Sequence, residues 1–206
     1  MSNRRVRIAV LVSGGGTNLQ ALIDAGKKQK LKSGEIVLVV SDNPEAYALQ
    51  RANQNDILTC VISKKQSGGQ ERFEERLISV LEENDIELIV LAGFLCILSE
   101  NFTSRYPRRI LNVHPSLIPS FCGKGYYGLK VHEAALNYGV KVTGATVHFV
   151  NEIPDGGKII KQKAVYIKEN DTPEILQKRV MEEAEWKILP EATEEVCADI
   201  IKELWS

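Results

Sequence analysis

Apolar runs of strand length, each followed by a stretch with helical spacing, recur through the first half of this 206-residue chain and constrain its fold more than any other feature. Val6 to Val12 is a continuous, β-branched-rich run that gives way to Ser13-Gly14-Gly15-Gly16-Thr17-Asn18 and then to an amphipathic segment from Leu19. This reads as strand, glycine turn and helix. Ile36 to Val40 before Ser41-Asp42-Asn43-Pro44, Leu58 to Ile62 before a polar loop, and Leu88 to Ala92 before Gly93 repeat the unit. Between the last two, Gln70 to Asn84 sets Phe73, Leu77, Ile78 and Leu81 at helical spacing, which predicts one buried face. Strands joined in this way pair in parallel through right-handed crossovers. The expected fold is α/β: a Rossmann-like open sheet, mostly parallel and flanked by helices.

The rhythm then changes. Leu111 to His114 ends a strand at Pro115, and a loop rich in glycine and aromatic residues, Phe121 to Gly128, precedes a short helix over Leu129 to Asn137. Val142 to Val150 and Lys158 to Ile167 flank Pro154-Asp155-Gly156-Gly157, which is turn chemistry and predicts an antiparallel hairpin near the C-terminal end. Thr172, Pro173 and Glu174 are a helix cap, first residue and first-turn acid. Pro190 is expected to divide that helix from a last one reaching Trp205. No repeat or linker interrupts the chain, and 44% hydrophobic residues suffice for a sizeable core. Residues 1–206 are therefore expected to form one domain, with a phosphate-binding βα half (1–110) and a catalytic and C-terminal half (111–206).

Composition removes several function classes. The formal charge is -1 with both signs scattered, so no footprint for nucleic acid is visible. Lys27, Lys28, Lys30 and Lys32 follow the first helix, where cations complement its dipole. No stretch is long enough to span a bilayer, and Met1 to Arg5 lead straight into the first strand rather than into a signal sequence. Cys60, Cys96, Cys122 and Cys197 lie far apart with no Cys-x-x-Cys pair. That argues against a metal site or a disulfide framework and for reduced thiols in the cytoplasm.

The glycine triplet lets backbone amides approach an anion at a helix amino terminus. Its spacing lacks the third glycine of a dinucleotide fingerprint and the Gly-Lys-Ser/Thr of a triphosphate loop, so a single phosphate fits best. A bare βα turn is the alternative reading, against which Thr17 and Asn18 offer side-chain hydrogen bonds. Asn112 and His114 are two apart on one strand, so the pleat sends both to the same face. An imidazole beside an amide can stabilise negative charge on a carbonyl oxygen. A nearby carboxylate, Asp155, is expected to hold His114 in its charged form and to accept a proton. Taken singly, the histidine and the aspartate also fit structural roles. No serine or cysteine nucleophile is paired with this histidine, which favours direct attack by an amine. His132 is expected on a surface helix and His148 behind the site.

Taken together, Ser13-Gly14-Gly15-Gly16-Thr17-Asn18-Leu19-Gln20, Leu91-Ala92-Gly93-Phe94, Asn112-Val113-His114-Pro115-Ser116-Leu117 and Asp155-Gly156-Gly157 resemble the phosphoribosylglycinamide formyltransferase family over nearly the whole chain. The resemblance implies transfer of a formyl group from 10-formyltetrahydrofolate, as co-substrate and without a metal, to the amine of glycinamide ribonucleotide. Asn112 and His114 would stabilise the oxyanion of a tetrahedral intermediate and Asp155 would manage the protons of the amine. Gly16, Thr17 and Asn18 match the segment gripping the phosphate, and Glu185 matches the carboxylate contacting the ribose. The folate pocket would draw on Leu95, Cys96, Ile97, Leu98, Asn112 and Val150. Cys96 and Trp186 depart from the arginine and histidine of many relatives. The expected partners are the two small substrates, with neither nucleic acid nor membrane, and a homodimer stays open. Hydrolysis of formyltetrahydrofolate and non-catalytic binding of a phosphorylated metabolite are the alternatives. Transfer to methionyl-tRNA is expected less, for want of room for a tRNA-binding domain.

Overall fold

Val6–Val12 forms strand β1, and its alternating side chains supply two separate cores: Ile8, Val10 and Val12 face one layer of helices, Ala9 and Leu11 the other. The structure, a computed structural model, describes residues 4–203; the reading of the first residues and the helix's reach to Trp205 lie outside them. The first half continues through α1 (Thr17–Lys27), β2 (Gly34–Ser41), α2 (Tyr47–Asn53), β3 (Leu58–Val61), α3 (Lys64–Ser67), α4 (Gln70–Glu83) and β4 (Leu88–Leu91). The second half holds α5 (Glu100–Thr103), β5 (Ile110–His114), α6 (Leu129–Tyr138), β6 (Val142–Phe149), β7 (Ile159–Tyr166) and α7 (Pro173–Val180). A π-helical turn, Met181–Glu185, then leads into α8 (Trp186–Glu203).

The sheet runs β3-β2-β1-β4-β5-β6-β7, parallel from β3 to β5 and antiparallel for β5-β6 and β6-β7. The chain winds one way from β1 to β3 and the other way from β4 onward. The carboxyl ends of β1 and β4 therefore flank the crevice where open α/β sheets take ligands. On the far face, α4 buries Phe73, Leu77 and Leu81 as its spacing predicts, each side chain contributing roughly 1.5–3 kcal/mol. Thr172 caps α7, its hydroxyl accepting from Ile175 N, with Pro173 in the first turn.

Two expectations are corrected. Pro190 does not divide the C-terminal helix but lies buried within α8. The π-turn directly before α8 has already shifted the hydrogen-bond ladder, so the helix runs on through a residue that lacks an N–H. His132 is not on a surface: it sits at 0% exposure on the inner stripe of α6, next to Val131 and one turn before Ala135. Burial first, and second the nearby His114, push its pKa down to about 4, so it is a neutral core imidazole.

Candidate active site

Ser13-Gly14-Gly15-Gly16 turns from β1 into α1 at the crevice. Gly16 has φ +71°, and a Cβ there would lie 2.6 Å from the Cβ of Ala48, so only glycine brings the loop this close to α2. The loop's carbonyls are spent elsewhere: Gly14 O accepts from Ala48 N at 3.0 Å and Gly15 O from Arg51 Nε at 2.8 Å. No side chain caps the start of α1, and a helix start of this kind can meet an anion with free N–H groups and the helix dipole.

The carboxyl end of β5 carries the chemistry. Antiparallel pairing sets Asn112 opposite His148 and His114 opposite Thr146, and the β6-β7 turn brings Asp155 over both. That turn is tight. A Cβ on Gly157 would fall 1.7 Å from Phe149 O, and Asp155 itself takes φ +57°. Four groups converge on its carboxylate. Oδ2 accepts from Gly123 N at 2.8 Å and lies 3.5 Å from His114 Nδ1; Oδ1 lies 3.4 Å from Asn112 Nδ2 and 3.5 Å from His148 Nε2. Asn112 Nδ2 also meets His148 Nε2 at 3.2 Å, while His148 Nδ1 faces the carbonyl of Phe149 at 2.8 Å. The acceptor at Nδ1 puts the His148 proton there and leaves Nε2 to accept from Asn112.

The electrostatics differ from the expectation at one point. Burial outweighs the attraction of Asp155 and the Phe121 carbonyl and lowers the pKa of His114, so the imidazole rests neutral rather than charged. Its Nε2 donates to Phe121 O at 2.9 Å, which leaves Nδ1 as an open acceptor 3.5 Å from Asp155. Burial also pushes the Asp155 carboxyl up, but His148, His114 and the Gly123 N–H together hold it below its ordinary value. A neutral imidazole nitrogen and an ionised carboxylate thus face one another with no proton between them. A positively charged nitrogen presented beside this pair can donate to either acceptor.

Beside this cluster, consecutive residues of α1 are tied to the two ends of the π-turn. Thr17 Oγ1 donates to Met181 Sδ at 3.7 Å, and Asn18 Nδ2 donates to Glu185 Oε2 at 2.6 Å. Asn18 is buried with its Oδ1 unpartnered, so its side chain braces Glu185 rather than reaching outward. Burial pushes the Glu185 carboxyl up to about 7 against the pull of the Asn18 hydrogen bond. The native state therefore keeps a proton that the unfolded chain releases from about 4.5 upward, and stability falls as pH rises from there through about 7. Glu185→Gln keeps an oxygen for Asn18 and has no charge to bury. Between pH 5 and pH 8 it should lose about 2.5 kcal/mol less stability than the parent, a melting-temperature difference on the order of 5–10 °C. Parallel scans at the two pH values check this; an equal loss in both proteins would refute it.

The expected folate residues do not share one orientation. Leu95 and Ile97 project outward at 63% and 60% exposure, while Leu98 is buried in the core with Phe73 and Phe102. The thiol of Cys96 turns inward and donates to Asp42 Oδ2 at 3.1 Å, where burial and that carboxylate push it up to about 12. Val150 packs against the same core, its N–H donating to Ile110 O at 2.9 Å. The sequence reading missed Met181, the carbonyl of Phe121 and the amide of Gly123. The two backbone groups belong to a loop whose composition marks it only as adaptable. Among the described residues no group of three or more His, Cys, Asp or Glu is arranged to hold a metal ion, and no helix is long and apolar enough to cross a membrane.

Comparison with known proteins adds identity to this geometry. The chain is 45% identical to the trifunctional purine biosynthetic protein adenosine-3 of Gallus gallus over 98% of its own length, and spans 19% of that longer protein. It is 40% identical to the phosphoribosylglycinamide formyltransferase of Haemophilus influenzae, covering 89% of this chain and 84% of that one. The crystal structure of glycinamide ribonucleotide transformylase 1 from Symbiobacterium toebii superposes with a TM-score of 0.89 at 37% identity, over 96% of this chain and 90% of that one. The formyl transferase family matches residues 6–193, a span holding the glycine loop, the Asn112 strand, the Asp155 turn and Glu185, and the chain belongs to that family.

Proposed function

We propose that the protein transfers the formyl group of 10-formyltetrahydrofolate to the amine of glycinamide ribonucleotide, a step of purine biosynthesis. The observation carrying this reading is the convergence of Asn112, His114 and His148 on Asp155 at the crevice that also holds the glycine loop. The phosphate sits on the amides of Gly16, Thr17 and Asn18, the ribose meets Glu185, and the amine points toward Asp155. When the amine attacks the formyl carbon directly, the carbonyl oxygen becomes an oxyanion and the nitrogen becomes cationic. Asn112 Nδ2 donates to that oxygen once its contact with Asp155 Oδ1 opens, and His114 donates once its N–H leaves the Phe121 carbonyl. The cationic nitrogen comes up beside Asp155 and His114 Nδ1, and His114 Nδ1 accepts its proton. Collapse of the adduct then returns a proton to the departing folate nitrogen.

Leu95, Cys96, Ile97, Leu98, Asn112 and Val150 border the folate side, with Cys96 and Leu98 acting through the backbone because their side chains face inward. Residues 1–206 are read as one formyltransferase domain, supported by the one sheet that runs through both halves. The partners are the two small substrates, with no role for nucleic acid or membrane and with a homodimer compatible. Four free thiols support a cytoplasmic setting. Formyl-folate absorbance followed with and without glycinamide ribonucleotide tests the function: loss is expected only when the ribonucleotide is present. Formate release in its absence would instead favour the hydrolase, and tight ribonucleotide binding with no formyl loss would favour a sensor.

A further inference from the structure

The segment between β4 and α5, Gly93 to Ser99, has no regular secondary structure, yet it is tethered almost residue by residue. Ser13 N donates to Gly93 O at 3.1 Å, and Ser13 Oγ accepts from Leu95 N at 2.9 Å. The Cys96 thiol is held by Asp42. Beyond it stands a cluster outside the catalytic centre. Glu74, on the inner face of α4 and only 5% exposed, accepts from Ser99 N at 2.7 Å and from Ser99 Oγ. Gln70, one turn earlier on the same helix, uses a single amide nitrogen to donate to Glu74 Oε1 and to Ile97 O at 3.0 Å.

Core packing alone does not call for this arrangement. A carboxylate this deeply buried is costly unless its oxygens are occupied, and here every acceptor contact is spent on one loop or on the residue that grips that loop. The tethers also explain the exposed side chains. With Cys96 and Leu98 drawn inward, alternation sends Leu95 and Ile97 outward, where apolar groups stand in solvent on the crevice side.

We propose that Gln70 and Glu74 are positioning residues that fix the Leu95 to Ser99 loop as a preformed wall for the folate co-substrate. This rests on the function proposed above. The wall need not be ordered on binding, so its rigidity contributes directly to folate affinity. Ser13 joins the same loop to the glycine turn, which ties the position of the wall to the phosphate end of the site.

The test is Gln70→Ala, which removes the bonds to Ile97 O and to Glu74 Oε1 from a partly exposed position and leaves Glu74 its contacts with Ser99. Calorimetric titration with tetrahydrofolate should show a dissociation constant raised about fivefold, on the scale of one ordinary hydrogen bond. In the formyl-transfer assay the rise in KM for 10-formyltetrahydrofolate should exceed any fall in kcat, and any change in KM for glycinamide ribonucleotide, by a similar factor. Equal tetrahydrofolate binding by parent and variant would overturn the clamp alone, as would a proportional change in all three constants. A parent protein that binds tetrahydrofolate without transferring formyl would overturn the proposed function and leave the titration to decide the clamp. A parent that binds no tetrahydrofolate would overturn both.

Discussion

Asp155→Asn should lower kcat by at least about a hundredfold while leaving the KM for either substrate within a few-fold, the scale of a positioned acid-base group. The substitution is nearly isosteric, and the remaining carbonyl oxygen can still take the Gly123 N–H bond that fixes the turn. What disappears is the negative charge between Asn112, His114 and His148. In the parent that charge is retained into acid, because the pKa of Asp155 is lowered, so no loss of rate from its protonation should appear near neutrality. Without it, the imidazole of His114 loses the group that raises its pKa and becomes still harder to protonate. The cationic nitrogen then has no carboxylate to enter against. Steady-state kinetics across pH 5 to 9 checks both parts. Turnover near the parent value would remove Asp155 from the chemistry.

Most of the scaffold carrying this site was legible in sequence because its signals are local. The β-branched runs become β1, β2 and β4 within a residue or two at each end, and the Thr172-Pro173 start of α7 is a cap written into three adjacent residues. The pair Asn112 and His114 followed from strand alternation alone. Other parts depend on contacts distant in the chain. His148 faces Asn112 only because β6 pairs antiparallel to β5 in one register, and a slip of one residue would turn it to the other face. His132 has a surface residue's chemistry but lies on the stripe that α6 buries. The π-turn placing Met181 and Glu185 against Thr17 and Asn18 leaves no composition signature, and neither do the Phe121 carbonyl and the Gly123 amide. The expected charge on His114 failed for a quantitative reason. Opposite-charge attraction is legible from the residue types, but the cost of burying the ring, which is the larger effect, depends on the fold.

Asn112→Ala should lower kcat by about 10²–10³-fold, the usual cost of one donor to a developing oxyanion, again with little change in KM. Asn112 is partly buried at the end of β5, and its amide is held by two neighbours before any substrate arrives: His148 Nε2 at 3.2 Å and Asp155 Oδ1 at 3.4 Å. Those two contacts occupy both N–H groups and hold the amide in place before substrate arrives, and the longer one, to Asp155 Oδ1, opens to free a donor when negative charge appears on the carbonyl oxygen. A donor that acts on developing charge contributes to the transition state and scarcely to ground-state binding, which is why the loss should fall on kcat. The same two bonds couple Asn112 to the proton-handling side of the site. Removing the amide frees Asp155 Oδ1 and loosens His148, so part of the Asn112→Ala loss is the disordering of Asp155. The double variant Asn112→Ala with Asp155→Asn should therefore lose less than the product of the two single effects. Losses that simply multiply would show the amide and the carboxylate working on separate steps, whereas coupled losses place them in one unit around one tetrahedral carbon.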